Sequence, residues 1–265
     1  MLVEERRKQV LDQVQEHGFI TLADLAQELE VSASTIRRDL LYWELQGSVK
    51  RVHGGAMAIG NGAALPALNA RLNRQVAEKR RVAREAARRI HDGDSILIDG
   101  GTTTLELARL LVGRPLQIIT NSLPIANLFA NSTETNLVFL GGYVFPKTGV
   151  VLGPFTMRTL EEVHVHQTIL SVGGITPKGL FNSNLLLVET ERQMMRCADE
   201  VMVLADHTKV GRQSLAFLCE LSAIDTLIVD AGIAPEHRNW LTEAGVRLVI
   251  AGKAPQDAHP RKSRS

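Results

Sequence analysis

Aromatic residues make up only 4% of the 265-residue chain, so stacking on single-stranded nucleic acid is not its main means of binding. There are only two cysteines, Cys197 and Cys219, with no CxxC between them, which excludes a disulfide scaffold and leaves two free thiols. Charge of one sign is missing too. Thirty Lys and Arg stand against 29 Asp and Glu, a net charge of +1, which excludes nucleic-acid binding by bulk charge but not by a local basic surface. No apolar run approaches the ~20 residues of a membrane helix. The N-terminus MLVEERRKQV has no apolar core of a signal peptide, so a cytoplasmic protein without membrane association is expected. No GxSxG is present, and no Walker lysine follows a Gly-rich loop.

The length suits about two domains, and the pattern divides accordingly. Residues 1–57 give three helices in quick succession: about Val3 to His17, Leu22 to Glu28 behind Thr21 as N-cap, and a third from a Ser32 cap to Gln46, stopped at Gly47. Val49–Val52 then alternates apolar and basic residues before His53-Gly54-Gly55 and reads as a short hairpin. Residues 58–75 are expected to be a linker, since 57–70 are small, Gly-rich and contain Pro66. From Arg71 to Arg89, eight basic residues face only Glu78 and Glu85, while Val82, Ala86 and Ile90 recur at helical spacing. This predicts one basic helix with one apolar face, either near DNA phosphates or as a solvated connector. Residues 76–252 alternate β-branched runs with helical patterns. The runs are Ser95–Ile98, Leu116–Thr120, Asn136–Leu140, Thr168–Val172, Val201–Ala205, Thr226–Val229 and Arg247–Ile250. Several are almost wholly apolar, as strands buried on both faces are. The expected fold class is α/β: an N-terminal winged helix-turn-helix domain, then a larger α/β domain with a mostly parallel sheet. Residues 253–265 are expected to be a frayed, disordered tail.

In the third helix Ile36, Leu40 and Trp43 form the packing face and leave Ser34, Thr35, Arg37, Arg38 and Tyr42 on the others. Ser32 and these five, with Lys50, Arg51 and His53 on the wing, are the candidate DNA contacts: short hydroxyls for phosphate or base edges, arginine for guanine. Arg37 and Arg38 lie about 100° apart on a helix, so one is expected to read a base and the other to hold phosphate or pair with Asp39. Acids outnumber bases nine to seven over 1–57, mostly on the first two helices.

The larger domain carries Asp99-Gly100-Gly101-Thr102-Thr103-Thr104 between an apolar strand and a helix. Such a turn lets backbone approach a ligand and aims helix N–H groups at an anion; a capped helix with nothing bound is the alternative. Asn121-Ser122, Gly141-Gly142, Gly173-Gly174 and the Asp206–Lys209 segment each follow another strand. In a parallel sheet these ends share one edge, where open α/β folds bind ligands. The candidate effector contacts are therefore Asp99, Gly101, Thr102, Thr103 and Thr104, then Asn121, Ser122 and the two Gly-Gly pairs, with Asp206 for hydroxyls and Lys209 for phosphate. His164 and His166 read as an ordinary solvated pair, with no acid at helpful spacing for a metal. No cofactor or metal is expected.

Two strings carry a resemblance. Residues 31–56, VSASTIRRDLLYWELQGSVKRVHGGA, resemble the DNA-binding signature of DeoR-type bacterial repressors, most specifically over Thr35–Leu40 and Val52–Ala56, with Trp43 where that family usually has Leu. DGGTTT, TNS, LGG, Leu152-Gly153-Pro154 and VLADHTKVGRQS resemble the same family's sensor domain, and the likeness runs over about residues 3–252. The resemblance implies a sensor similar in fold to ribose phosphate isomerase and glucosamine phosphate deaminase that binds a phosphorylated sugar or related metabolite. There are departures: Gly100 where Ser is common, Leu186 and Leu187 after Asn184 where acids are frequent, and Glu191 where a Lys is frequent. The expected function is a non-enzymatic, sequence-specific regulator of carbohydrate metabolism genes, usually a repressor. Its partners would be double-stranded operator DNA, a phosphorylated effector and further copies of itself, as a dimer or tetramer. The alternative is a sugar-phosphate isomerase or deaminase with an accessory DNA-binding domain, using Asp206, Lys209 and Glu189 as acid–base groups.

Overall fold

A computed structural model describes residues 3–17, 19–46, 48–52, 54–58, 68–146 and 148–252. His53, much of the expected linker and the 253–265 tail lie outside these residues, as does the Lys50 side chain.

The N-terminal part begins with α1 (Val3–His17), β1 (Phe19–Thr21), α2 (Leu22–Glu28) and α3 (Ala33–Leu45), followed by β2 (Val49–Val52) and β3 (Gly55–Ala58). Both predicted caps form. Thr21 Oγ1 accepts from the Asp24 N–H at 3.1 Å, and Ser32 Oγ from the Thr35 N–H at 3.3 Å, so each helix starts with an otherwise orphan donor satisfied. The hairpin β2–β3 gains a third strand, giving the antiparallel order β1-β3-β2. Val10, Val14, Leu25, Ile36, Leu40 and Val49 form a separate small core.

The remainder comprises α4 (Leu68–Leu72), α5 (Val76–Ala87), β4 (Ser95–Ile98), α6 (Thr102–Leu111), β5 (Gln117–Thr120), α7 (Leu123–Phe129) and β6 (Asn136–Phe139). Next come β7 (Tyr143–Phe145), β8 (Val150–Leu152), α8 (Pro154–Glu161), β9 (Val165–Ser171), β10 (Gly174–Thr176), β11 (Gly179–Asn182) and α9 (Leu185–Arg196). The chain ends with β12 (Ala198–Ala205), β13 (Ala216–Cys219), β14 (Thr226–Asp230), α10 (Pro235–Glu243) and β15 (Arg247–Ala251). Seven of these strands make one sheet in the order β15-β14-β12-β9-β4-β5-β6, every pair parallel. Alternate residues divide between two cores, as a period of two requires. Ile96, Ile98, Ile169 and Leu204 pack under α5, α6 and α7. Leu97, Leu170, Val203 and Leu227 pack with Leu160 of α8, Val188 of α9 and Leu241 of α10.

Two features position the site. From β4 the chain winds toward β6, then returns to lay β9 on the other side of β4 and winds toward β15. The strand order therefore reverses between β4 and β9, and loops leaving there diverge to open a crevice. The second feature corrects the single basic helix expected over 71–89. The chain breaks between α4 and α5 at Gln75, which takes a left-handed backbone with φ 47° and ψ 40°. Lys79 is buried there, donating to the carbonyls of Arg71 at 2.7 Å and Arg74 at 2.5 Å. Several of the remaining arginines are paired locally, Arg80 with Glu106 and both Arg88 and Arg89 with Glu85.

Candidate functional site

On α3, Ile36 and Leu40 are buried and Trp43 packs beside them. Trp43 anchors α3 to α1 by donating its indole N–H to the Arg7 carbonyl at 2.7 Å. Asp39 does not pair with Arg37 or Arg38. Only 1% exposed, it accepts from Arg6 Nε at 2.7 Å and from Arg7 Nε at 3.3 Å, both on α1. Asp39 faces inward because it lies three residues from Ile36 on the buried stripe. Arg37 and Arg38 are thereby left exposed, with no hydrogen-bond or ion-pair partner among the described residues. Ser32, Ser34 and Thr35 form a hydroxyl cluster at the start of α3, with Ser32 Oγ 2.9 Å from each of the other two. Two candidate contacts are already engaged. The Arg7 guanidinium lies 4.0 Å over the Tyr42 ring, and Arg51 Nε donates to Glu44 at 2.6 Å. Lys50 sits on β2, the wing strand.

In the sheet domain, a cavity of about 600 Å³ opens at the β4/β9 reversal, within the range of small-molecule sites. Its floor is Gly100 and the first turn of α6, where Thr102 and Thr103 start a ten-residue helix whose unpaired N–H groups favour an anion. The loop after β9 adds Ser171 and Gly173, and the loop after β12 adds Asp206 and Lys209. Glycine is needed at two places here. A Cβ on Gly100 would run into Val150 Cγ1, and one on Gly101 into Ser171 Oγ.

Not every candidate from the sequence reaches this cavity. Thr104 turns inward and donates to the carbonyls of Asp99 at 2.7 Å and Gly101 at 3.0 Å. Asp99 and Asn121 lie behind the wall, joined by an Asn121 Nδ2 donor at 3.3 Å. Ser122 opens α7, and Gly141 and Gly142 follow β6, the edge strand of the sheet, where the Gly141 carbonyl accepts from Thr156. Strands stand ~4.8 Å apart, so a loop two strands beyond β4 falls ~10 Å short. Gly174 is packed against the Arg212 backbone rather than the cavity. Asp206 spends one oxygen on Thr208, accepting from both its N–H and its hydroxyl. Glu189 is exposed on α9, so Asp206, Lys209 and Glu189 are not brought together. His164 and His166 are both exposed beside Asp199, 2.8 Å and 3.8 Å away; the parallel pairing of β9 with β12 supplies this acid, which sequence spacing did not reveal.

The structure adds contributors that sequence reasoning missed. Arg71 and Arg74, from the expected linker, line the cavity with Lys79, and Arg212 joins them. With Lys209 that makes five cationic side chains. Burial pulls Lys79 down to about 8 and lowers Lys209, although Asp206 opposes both shifts. Burial also lowers Arg71 and Arg74. Glu191 of α9 also lines the cavity, 1% exposed, with Asn182 Nδ2 donating to its Oε1 at 2.5 Å. Burial, then the charge of Asp99, pushes Glu191 well up, while Asn182 resists. Burial likewise pushes Asp99 up to about 6, against its Gly100 and Asn121 hydrogen bonds and Arg71. Several buried polar atoms here have no partner: Arg71 Nε and Nη2, Ser183 Oγ and Glu191 Oε2. Buried polar groups are nearly always satisfied, so this set points to a missing ligand. The Arg71/Arg74 signal was present as the first two charges of the basic run, and Arg212 lay inside VLADHTKVGRQS. Asn182, at the end of an antiparallel strand, had no periodic signal.

Residues 6–61 match the model of the DeoR-like helix-turn-helix domain, and residues 74–231 match that of the DeoR C terminal sensor domain. The HTH-type transcriptional repressor GlcR of Bacillus subtilis (strain 168) is 31% identical over 250 residues, spanning 94% of this chain and 97% of that one. The putative aga operon transcriptional repressor of Escherichia coli O157:H7 is 30% identical over 253 residues, 94% of each chain. A ribose 5-phosphate isomerase A structure from Methanocaldococcus jannaschii overlaps 50% of this chain and 53% of its own, at 20% identity and a TM-score of 0.35. No described helix is long and apolar enough to cross a membrane.

Proposed function

Because this chain belongs to the DeoR family of helix-turn-helix transcriptional regulators, we propose that it is a repressor released from its operator by a phosphorylated sugar or related metabolite. The observation that carries this reading is the convergence of five cationic side chains on one cavity with the N-terminus of α6. A phosphate placed there meets helix N–H groups, the unpartnered nitrogens of Arg71 and the Lys209 ammonium. The uncompensated positive charge in a partly buried cleft makes a dianion a better occupant than a neutral sugar.

The DNA end follows from α3. Arg37 and Arg38 are exposed at its N-terminal half, where a recognition helix meets base edges, and the Ser32, Ser34 and Thr35 hydroxyls flank them. Lys50, Arg51 and His53 of the wing are assigned to phosphates; Arg51 would exchange Glu44 for one. A homo-oligomer presents two or more such helices to repeated half-sites. Release requires that the effector bind the DNA-free arrangement more tightly than the DNA-bound one, since equal affinity shifts nothing.

The test is to recover genomic fragments retained by the purified protein at fixed, moderate salt, because phosphate contacts alone are strongly salt-dependent. A few sites sharing a repeated element, with Arg38→Ala losing ~1–3 kcal/mol of discrimination, are expected. Added sugar phosphate should then release the wild type, while Lys209→Ala stays bound. Retention without sequence preference overturns the operator reading, and unchanged release of Lys209→Ala overturns the cavity.

A further inference from the structure

The cavity is lined by carboxylates as well as cations, and only the cations are used above. The cations come from α4, α5 and the segment after β12, where the Asp206 carboxylate lies among them; the carboxylate Glu191 comes from α9, with Asp99 close to it behind the wall. Glu191 is the informative one. It is buried, faces the cavity, and keeps one oxygen on Asn182 while the other has no donor. No Lys or Arg forms an ion pair with it among the described residues. Ser183 Oγ, also in the lining, is without a partner as well. A buried carboxylate oxygen left bare is costly, and a second buried carboxylate nearby raises that cost. A sugar hydroxyl would supply one donor and no charge. An ammonium would supply three donors and the missing positive charge.

We propose that the effector carries a protonated amine as well as a phosphate, with Glu191 receiving the amine and Arg71 and Lys209 the phosphate. This makes it an amino-sugar phosphate or another aminoalkyl phosphate, and Glu191 its specificity-determining residue. The assignment rests on the anion reading of the cavity given above. A neutral, protonated Glu191 would instead accept a neutral sugar, and glutamine imitates that state.

The experiment is calorimetric titration of the full chain, first with inorganic phosphate. Matched pairs follow: glucosamine 6-phosphate against glucose 6-phosphate, galactosamine 6-phosphate against galactose 6-phosphate, and phosphoethanolamine against ethylene glycol monophosphate. In at least one pair the amine should bind tenfold or more tightly. Glu191→Gln should bring that pair to within about twofold while its inorganic phosphate affinity is not weakened, which also shows that the variant is folded. If phosphate itself does not bind, the anion reading falls and takes this one with it. If phosphate binds but no pair favours the amine, or Glu191→Gln keeps the preference, the amine assignment alone is overturned.

Discussion

Gly100 illustrates how one absent side chain is fixed by a neighbour far along the chain. Its missing Cβ makes room for Val150 of β8, which is fully buried. The hydroxyl that a serine would add to this loop is thus traded for packing. Gly100→Ser should cost about 1–3 kcal/mol through overpacking. Val150→Ala should relieve it, leaving the double variant at least about 1 kcal/mol more stable than the two single effects predict; urea denaturation of all four proteins measures this coupling, and simple additivity would contradict it. Asp39 shows a similar dependence. Its position in the motif beside two arginines suggested a local pair. The helical stripe turns it inward instead, toward α1, and frees both arginines.

At the scale of elements, the break between α4 and α5 places Arg71 and Arg74 at the cavity. It depends on Gln75 holding a left-handed backbone that β-branched residues resist. Gln75→Val should therefore cost about 1–2 kcal/mol and weaken phosphate binding, whereas Gln75→Gly should leave thermal stability unchanged or up to about 0.5 kcal/mol higher. Paired melting curves and phosphate titrations check both. This break was invisible in the sequence, because Asn73-Arg74-Gln75 carries no glycine or proline. The seven parallel strands were all legible, since each is an apolar run bounded by turn residues. The short strands β7, β8, β10, β11 and β13 were not. They are three or four residues long and pair antiparallel, so they offer too few residues to establish a period. One of them brings Asn182 to Glu191, and this explains why Glu191 was seen only as a departure from a motif. The winged helices were legible nearly to the residue because caps, stripe and stop signals agreed.

For the whole molecule, the cavity sets a pH dependence. Asp99 binds its proton more tightly in the folded chain, about 6 against an ordinary 3.8. Its contribution to stability is therefore complete below about pH 4 and lost as pH rises through about 6. Lys79 behaves in the opposite sense, about 8 against 10.5, so its contribution is complete above pH 10.5 and lost as pH falls through about 8. Between pH 6 and 8 Asp99 and Lys79 are both charged, and the unliganded chain is least favoured by these two groups. Asp99→Asn should then be more stable than the wild type at pH 7, by up to about 3 kcal/mol, with the gap closing toward pH 4. Chemical denaturation at the two pH values measures it, and a gap that does not narrow would contradict it. The clustered cations have a practical consequence as well. If the five cations bind phosphate as proposed, a preparation in phosphate or sulfate is expected to carry a competing oxyanion in the cleft. Its apparent affinity for any phosphorylated ligand would be a displacement value, and the same protein in a chloride buffer would behave as a different starting material.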